Sequence, residues 1–524
     1  MIAKSKFKPI AVLTCILLIV LAVFCIGNTG ADAVVYSGDC GAEGSTVTWS
    51  FDSGNGVLTI EGSGAMADYS TESPWHDYNT SITGVVIGDG ITYVGKSAFK
   101  NCSVMKSITI PDSVTSIGNG AFYCCYALKD IVLPKGLTSI EDYTFYSCPA
   151  ITKIVIPEDV TRIGEHAFDN CDGLISVTLP DSVTEIGYSA FTGCNVLAEI
   201  VIGNGVTNIG NYAFSKCTAL TKLVIPDSVQ TIGSGILSGC SALTEIKVPF
   251  VGDRRKTAED VSQHPFGYFF GTSSFSGASA VSQKYYGPLG SLTTTTYYIP
   301  TALKKVTVTD HDILYGAFYN CVNITRMTMG DGVTAIGANA FYGCTGLTTL
   351  GLSDSVTTIG NYAFYNCTAL QSTVMTETTS VIGVTIPNGV TSVGSYAFYN
   401  CSAMTRLTIS ENLMKIGAYA FYNCSALTTA SFKSIDGWWI ATSETATYGT
   451  NVLPVTLTNT TTAATYLRNT YNTKYWNRTV NESTGSAVVD GGTSGNIEWI
   501  FTANGQLTVS GNGAMKDYSS YASN

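Results

Sequence analysis

The chain has 524 residues, beyond the size at which one compact hydrophobic core keeps growing, so either several domains or a repeat architecture is expected. Only 12% of the residues are charged, whereas there are 53 glycines and 30 tyrosines, a composition that favours short strands and turns over long helices. The formal net charge is -11 and the 27 lysines and arginines are scattered, which argues against a nucleic-acid partner, because phosphates are neutralised by clustered basic residues.

The N-terminus has the three parts of a secretory signal. Lysines within the first eight residues precede an apolar run over residues 10–26, and Ala31-Asp32-Ala33 has the small-x-small pattern that signal peptidase cleaves. We predict a signal peptide over residues 1–33 and a secreted or cell-surface protein. The alternative is an uncleaved anchor, because the apolar run is near the lower limit for spanning a bilayer. No later segment is apolar enough to be a transmembrane segment of the mature chain.

A 23-residue repeat organises the middle of the chain, with the consensus L-x-x-I-x-I-P-x-x-V-x-x-I-G-x-x-A-F-x-x-C-x-x. Twelve units are recognisable, and Leu237 replaces the phenylalanine in one of them. The phenylalanines are Phe99, Phe122, Phe145, Phe168, Phe191, Phe214, Phe318, Phe341, Phe364, Phe398 and Phe421. Three residues after each position comes a cysteine: Cys102, Cys125, Cys148, Cys171, Cys194, Cys217, Cys240, Cys321, Cys344, Cys367, Cys401 and Cys424.

The consensus predicts one turn of a solenoid. The x-I-x-I segment is a short strand with alternating faces, and the following Pro cannot donate to a strand ladder, so pairing stops there. Val, Ile and Ala-Phe point inward from the returning part, and the Gly after Ile supplies a backbone conformation that a side chain would obstruct. One unit cannot bury its apolar face alone, but stacked units can. We therefore predict a solenoid of short parallel β-strands with irregular or short helical returns, flanked by small β modules.

The repeat and its period resemble the BspA-like family of leucine-rich repeats over roughly residues 81–431. Flanking features agree with the resemblance, because the segment before Pro74-Trp75 is similar to a small β module that precedes such repeats, and Trp476-Asn477-Arg478 is similar to the end of their cap. The resemblance implies a cell-surface leucine-rich repeat protein that adheres to host or neighbouring-cell components.

The chain divides into six predicted segments. The pattern of the N-terminal module recurs at the C-terminus, where Trp499, Leu507 and Met515 match Trp49, Leu58 and Met66. The segments are a signal peptide (1–33), an N-terminal β module (34–80), the solenoid of twelve repeats (81–431) with an insertion (250–301), a C-terminal cap (432–478), a flexible Gly/Ser/Val linker (479–494) and an incomplete second β module (495–524).

The cysteine column is predicted to consist of buried free thiols. In an exported chain, adjacent turns could place cysteines at a bridgeable separation. However, equivalent positions of stacked turns have nearly parallel Cβ vectors, and their uniform spacing defines no pairs. A small thiol packed beneath the phenylalanine is the better interpretation. Cys40 and Cys124 lie off the column, and we assign them no bond.

The sequence offers no catalytic site, no cofactor and no metal site. The four histidines stand in unrelated contexts, and repeat stacking brings no catalytic partners to them. Asp310-His311-Asp312 is the one suggestive cluster, interpreted as a polar turn with metal binding as the alternative. Motifs for nucleophilic serine, zinc or phosphate-loop chemistry are missing from the sequence. We therefore predict a protein that is not an enzyme.

Candidate binding residues come from the strands and from the insertion. Outward-facing strand residues should line a concave face, which is mixed and lightly charged and suits a protein or glycan partner. They include Ser107, Thr109, Lys153, Val155, Glu199, Val201, Lys222, Val224, Arg406 and Thr408. The insertion adds aromatic residues that would either anchor a partner or fold back over their own apolar surface. The predicted contact residues are Phe266, Tyr268, Phe269, Phe270, Tyr285 and Tyr286, with Lys222, Glu245 and Lys247 beside them. We expect the repeats to stay folded when residues 250–299 are replaced by a short linker.

The function predicted from these features is adhesion, through binding of an extracellular protein or glycan. Two alternatives remain open. The chain could be a structural protein of the cell envelope, or an enzyme with a site in the 250–301 insertion. Because a repeat scaffold alone is weak evidence for function, the choice depends on the surface that the folded repeats present.

Overall fold

Each 23-residue repeat forms one turn of a β-solenoid, and each turn has three sides. The computed structural model describes residues 33–256, 263–287, 290–374, 380–479, 488–494, 497–502 and 507–511. The first side of a turn is the x-I-x-I strand, the second is a shorter x-I strand, and the third is the turn-rich A-F-x-x-C segment. The predicted fold class, a leucine-rich repeat solenoid with parallel strands, is confirmed. The predicted signal peptide lies almost wholly outside the described residues.

Strands on the first side pair in parallel with the equivalent strand of the next turn. Val177, for example, lies opposite Ile200, and Leu223 lies opposite Ile246. The inward-facing member of each pair is buried, whereas its neighbours alternate outward, as the period-two pattern predicts. The strands are Val57–Glu61, Gly84–Ile87, Ser107–Thr109, Asp130–Ile131, Ser176–Thr178, Glu199–Val201, Lys222–Val224, Glu245–Val248, Lys305–Val308, Arg326–Met329, Thr349–Gly351, Ser372–Val374, Val384–Thr385, Arg406–Ile409 and Thr429–Phe432. One further strand, Ser380–Ile382, pairs antiparallel with Ser372–Val374.

The second side is a narrower ladder in which threonine hydroxyls reinforce the backbone. The hydroxyl of Thr184 donates to the carbonyl oxygen of Thr161 at 3.1 Å, and that of Thr207 donates to the carbonyl oxygen of Thr184 at 3.2 Å. The strands are Gly64–Ala65, Ile91–Val94, Ser116–Ile117, Ser139–Ile140, Arg162–Ile163, Glu185–Ile186, Asn208–Ile209, Thr231–Ile232, Ala335–Ile336, Thr358–Ile359, Ser392–Val393 and Lys415–Ile416.

The third side depends on left-handed backbone at two positions in each turn, immediately before Ala and immediately before Cys. In one turn these are Tyr212, with φ 58°, and Lys216, with φ 59°. The consensus Gly has a different role. At Gly210 φ lies outside the left-handed region, but a Cβ would come within 2.6 Å of the backbone nitrogen of Tyr188. Glycine is therefore required there by the close approach of the preceding turn, which corrects the expectation of an unusual backbone conformation.

Phenylalanine rings form a continuous column inside the solenoid. Phe145 and Phe168 lie 5.3 Å apart between ring centroids, and Phe168 and Phe191 lie 5.2 Å apart, with nearly parallel planes. These rings are fully buried. At the N-terminal end the column continues onto Trp75, whose ring stacks on Phe99 at 5.7 Å. The core is therefore an axial stack of identical side chains, as the repeat predicts.

The N-terminal module is continuous with the solenoid. Its strands Val35–Asp39 and Thr48–Asp52 pair antiparallel with each other, and Thr48–Asp52 pairs with Val57–Glu61. Val57–Glu61 then pairs in parallel with Gly84–Ile87, the first strand on the far side of the predicted boundary at residue 80. A short 3-10 helix, His76–Tyr78, follows Trp75. The module therefore covers the end of the core and supplies its first turn.

The insertion over residues 250–301 is an enlarged turn within the solenoid. Glu245–Val248 pairs directly with Lys305–Val308, so the first side has no gap. The 3-10 helix Phe266–Phe269 occupies the third side, and an antiparallel hairpin, Ala278–Tyr286 with Leu292–Pro300, follows it. Residues 257–262 and 288–289 lie outside the described part of the chain.

The C-terminal cap closes the other end of the core. Its strand Tyr475–Arg478 pairs antiparallel with Lys415–Ile416 and with Trp438–Ala441, which also pairs with Thr450–Asn451. Trp438 and Trp476 are buried there. Between these strands lie the α-helices Pro454–Thr458 and Thr460–Thr465, followed by a π-helical turn, Tyr466–Thr470. Among the described residues, no helix is long and apolar enough to cross a membrane.

The second β module begins earlier than predicted. Val488–Ser494 is a strand that pairs antiparallel with Ile497–Thr502, which pairs in turn with Leu507–Gly511. The prediction of a flexible linker over 479–494 is therefore wrong for its second half, because these residues repeat the pairing of the first strand of the N-terminal module. The rest of that linker and the segment after residue 511 lie outside the described residues.

We expect Phe214→Ala to destabilise the solenoid by roughly 3–5 kcal/mol, because the side chain is fully buried in the column and its removal leaves a cavity. Hydrogen exchange of the neighbouring turns should rise together with the loss of stability in urea. Val155→Ala is the matched control, since this side chain is 71% exposed, and it should change stability by less than about 0.5 kcal/mol. Equal effects of the two substitutions would contradict a buried column.

Candidate functional site

The first side of the solenoid presents two outward rows of side chains. The first row includes Asp130, Lys153, Glu199, Lys222 and Glu245, and the second row occupies positions two residues later in each strand. Since the strands pair in register, each row places one side chain per turn along a straight line. The predicted concave-face residues Ser107, Thr109, Lys153, Val155, Glu199, Val201, Lys222, Val224 and Arg406 are exposed, and Thr408 is partly exposed.

Charges in the first row pair with one another from turn to turn. The amine of Lys222 lies 2.8 Å from a carboxylate oxygen of Glu245, and the amine of Lys305 lies 3.8 Å from its other oxygen. Two of the predicted contact residues, Lys222 and Glu245, are therefore brought together as an ion pair. Such exposed pairs contribute little to stability, so these groups remain able to exchange partners. Lys247, the third predicted residue, is exposed in the second row.

The second row contains exposed valines, of which the sequence predicted Val155, Val201 and Val224 but not Val132. Val132 and Val155 are 73% and 71% exposed in adjacent turns, and Val201 and Val224 are 45% and 40% exposed in another adjacent pair. Threonines occupy the position in the intervening turn and in the turn before Val132. For Val132 the available signal was the segment Ile131-Val132-Leu133, because the middle residue of such an alternation must face away from the core.

Most of the predicted aromatic contact residues are inside the molecule. Phe266, Phe269 and Phe270 are fully buried, and Tyr285 is buried as well. The ring of Phe266 lies 4.8 Å from that of Phe318, and its backbone nitrogen donates to the carbonyl oxygen of Ala317. It thus takes the place of the column phenylalanine. The expectation that these four side chains form an exposed edge is wrong, because the enlarged turn needs them to fill its own core. Tyr268 is partly exposed and Tyr286 is exposed.

One side of the hairpin is buried against the neighbouring turns. This argues against the expectation that the repeats stay folded when residues 250–299 are replaced by a linker. The amide of Gln283 is fully buried, and its nitrogen donates to the carbonyl oxygens of Ala317 and Tyr319, both at 3.3 Å. The backbone nitrogen of Leu237 donates to Phe269. Without this turn, the core between Leu237 and Phe318 would face water. Replacement by a linker should therefore unfold the neighbouring turns.

The three polar residues Asp310-His311-Asp312 each have a separate partner. Asp310 forms an ion pair with Arg255 at 2.7 Å, and the ring of His311 lies 2.7 Å from the carbonyl oxygen of Lys256. Asp312 accepts hydrogen bonds from the backbone of the next turn. These contacts hold the start of the enlarged turn against the solenoid. In the described part of the chain, no three His, Cys, Asp or Glu side chains are grouped so as to hold a metal ion.

The twelve column cysteines are buried, and none of them forms a disulfide bond in the structure. Most of them also make a hydrogen bond that the sequence did not reveal. The thiol of Cys171 donates to the carbonyl oxygen of Phe145 in the preceding turn at 3.1 Å, and Cys194 donates to that of Phe168 at 3.2 Å. Two positions differ, since Cys102 donates to the side chain of Asn79 and Cys321 accepts from Gln283. Cysteine is thus both an apolar filler and a donor between turns.

Burial raises the pKa of these thiols. The pKa of Cys171 rises to about 12 because desolvation disfavours the thiolate, and Cys240 and Cys344 are raised to the same level for the same reason. A thiol that stays protonated is a poor nucleophile, so the column is chemically inert. These residues are structural and do not form a reactive site.

A parallel-stranded solenoid with an L-x-x-I-x-I strand and an exposed strand face is a leucine-rich repeat protein. The family model described as "BspA type Leucine rich repeat region" matches residues 77–178, 138–252, 311–385 and 374–463. These matches cover more than half of the chain. The chain therefore belongs to the BspA-type leucine-rich repeat family.

Solved structures of bacterial leucine-rich repeat proteins are similar to the chain at low identity. A protein from Bacteroides ovatus is 22% identical, with 77% of this chain and 94% of that chain covered and a TM-score of 0.39. A leucine rich cell surface protein from Faecalibacterium prausnitzii is 24% identical, with 77% and 96% covered and a TM-score of 0.28. A protein from Eubacterium ventriosum is 22% identical, with 70% and 95% covered and a TM-score of 0.29. None of the curated proteins compared with the chain matches it.

We expect iodoacetamide at pH 8 to leave the twelve column thiols of the native protein unmodified and to alkylate all of them in denaturant. Burial blocks access, and the raised pKa values keep the thiolate fraction low. Intact-mass and peptide mass spectrometry without reduction would count the modified sites. Modification of several column cysteines in folded protein, or recovery of bridged peptides from neighbouring turns, would contradict this arrangement.

We also expect stability to fall as the pH rises above 9. In the unfolded chain a thiol ionises near its ordinary pKa of 9.0, whereas Cys171 in the folded chain stays protonated to about 12. The folded state therefore holds more protons in this interval, and the free energy of unfolding decreases with pH. Cys171→Ser keeps a donor but does not ionise, so urea denaturation at pH 8 to 11 should give a slope shallower by up to about 1.4 kcal/mol per pH unit. An unchanged slope would contradict the shift.

Proposed function

We propose that the chain is an exported, non-catalytic adhesion protein that binds an extracellular protein through the first side of its solenoid. The observation that carries this proposal is the row of exposed valines in the strands, flanked by the row of charged residues. The basic start, apolar run and Ala-x-Ala site of the N-terminus support export. The net charge of -11 and the lack of a basic stripe argue against nucleic acid as the partner.

The valine row supplies the apolar part of such an interface. Val132 and Val155 lie in adjacent turns and expose most of their side chains to water. Burial of apolar surface against a partner releases about 25 cal/mol per Å², and contiguous exposed apolar side chains are typical of interaction sites. Strands fixed by their neighbours lose little freedom on binding, so the gain is not offset by ordering of the surface.

The charged row would orient a bound protein partner on this surface. Lys153, Glu199, Lys222 and Glu245 alternate in sign along the solenoid axis, one per turn with Ser176 between the first two. A charged rim beside an apolar strip is the arrangement found in protein interfaces, where it governs register and association rate more than affinity. Lys247, in the second row, remains a proposed contact residue of this surface, whereas the exposed Tyr286 packs against Tyr315 on the third side and lies outside it.

The test is binding of the 34–524 chain to an array of purified extracellular-matrix proteins, followed by titration of the strongest hit. Val155→Asp combined with Val201→Asp should weaken that binding at least tenfold, about 1.4 kcal/mol, because two carboxylates are placed in the apolar strip. Circular dichroism and the unfolding midpoint should be unchanged, since both positions are exposed.

The matched control is Val322→Asp, an exposed valine on the third side that is 42% accessible. It changes the same residue type and charge without touching the strand face, so binding should persist. Equal binding by wild type and the double variant would overturn the assignment of the first side. A wild-type chain that binds none of the proteins but forms ordered lattices would instead support a structural role in the envelope.

A further inference from the structure

The third side of the C-terminal turns forms a surface without charged residues. Five equivalent segments make it up, and each has the pattern of a tyrosine-rich A-F-x-x-C unit: residues 315–323, 338–346, 361–369, 395–403 and 418–426. We call this surface the tyrosine face. Several of the corresponding segments of the N-terminal turns carry charged side chains, for example Lys100, Asp142, Glu165 and Asp172. The same backbone therefore presents two chemically different surfaces along one molecule.

Tyrosines stand on the tyrosine face in two stacked columns. Tyr342 lies 4.8 Å from Tyr319 and from Tyr365, measured between ring centroids, and the ring planes differ by 4° and 3°. Tyr399 and Tyr422 continue this column, and the second column consists of Tyr362, Tyr396 and Tyr419, each 4.8 Å from the next. The rings are partly exposed, and because their faces cover one another, they offer mainly edges and hydroxyl groups to a ligand.

Asparagines form a third column beside the tyrosines. The side-chain amide of Asn423 donates to the amide oxygen of Asn400 at 2.8 Å, and Asn400 donates to Asn366 at 2.5 Å. All three residues have left-handed backbone, which fixes the position of the amides in each turn. An amide has two donor hydrogens and two acceptor sites, so one such bond to each neighbour leaves hydrogen-bonding capacity for a ligand.

Several hydroxyl groups of the tyrosine columns have a raised pKa. Burial and the neighbouring phenols raise the pKa of Tyr342 and Tyr365 above the ordinary value. The face therefore remains neutral and keeps its donors. At its two ends, the backbone of Lys284 on the hairpin lies beside Gly316, and Arg468 donates to the carbonyl oxygen of Ser425.

We propose that the tyrosine face is a binding site for a neutral polysaccharide. A neutral polyol chain needs closely spaced donors and acceptors and no counter-charge, which is what the phenol, amide and hydroxyl groups of this surface provide. An anionic polymer would require lysines or arginines in the face. The rings that carry the phenol groups repeat at 4.8 Å between centroids, so a polymer lying along the solenoid axis would meet the same hydrogen-bonding groups once per turn.

This site is independent of the protein-binding surface, because it uses the third side of different turns. An apolar protein partner fits the face less well, since Val322 is the one exposed large aliphatic side chain within its five segments. Each surface can therefore be impaired without the other. A chain with both would attach to a polysaccharide through one side and to a protein through another.

The test is affinity electrophoresis and pull-down of the 34–524 chain with cellulose, laminarin and mannan, with heparin and polygalacturonate as anionic probes. Wild type should bind at least one neutral polymer, and Tyr342→Phe/Tyr365→Phe/Tyr399→Phe should weaken this binding at least tenfold. The rings and their stacking remain in this variant, whereas three hydroxyls of one column are lost. Tyr123→Phe/Tyr146→Phe, which alters a stacked pair at 4.6 Å in the charged turns, is the matched control and should bind as wild type.

Several outcomes would overturn the proposal. These are failure to bind any of the three neutral polymers, binding to the anionic probes alone, or equal binding by the triple variant and wild type. If sedimentation shows a wild-type dimer that the triple variant abolishes, the face is instead a contact between copies of the chain. The protein array used for the valine variants gives a separate result, so failure of one proposal leaves the other to be judged by its own measurement.

Discussion

The structure depends on one constraint: every turn lies on an equivalent turn, in register, at the spacing of paired β-strands. Because the repeat has the same length in nearly every turn, each side chain meets its own counterpart. This makes phenylalanine stack on phenylalanine and threonine bond to threonine. It also explains the consensus glycine, whose hydrogen leaves room for the backbone of the turn before it. Residues that pack poorly against themselves are excluded from these positions for the same reason.

Much of the fold could be predicted from the period alone. The inward positions of Phe214 and Cys217 follow from their recurrence, since an invariant apolar residue in a stack must face the axis. The hydrogen bond that most of the thiols donate to the phenylalanine of the preceding turn could not be predicted, because it joins residues 26 apart in most of these turns. To predict such a contact, one must know how each turn is oriented relative to the next, and the spacing of residues in the sequence does not give this orientation.

The candidate site was harder to predict, and the enlarged turn shows why. Phe266 and Phe318 occupy equivalent positions of the phenylalanine column in consecutive turns. Because 52 residues separate them in the chain, the 23-residue period does not identify Phe266 as a core residue. In a segment outside the repeat, the sequence therefore does not distinguish buried aromatic residues from exposed ones. The exposed valines and tyrosines are difficult to recognise for a different reason. They lie within the repeat at positions where the residue type varies between turns. Whether they form a continuous surface depends on the residues at the same position in the neighbouring turns.

The enlarged turn also shows how a scaffold of this kind can acquire new parts. Only its first strand, the Phe266 segment and the buried side of the hairpin must keep register with the neighbouring turns. The outward side chains of the hairpin strands, such as those of Ser282 and Thr296, are under no such constraint. Composition can therefore change there while the stack remains intact. In evolutionary terms, one enlarged turn allows a highly repetitive protein to change part of its surface while the regular stacking that stabilises its fold is kept.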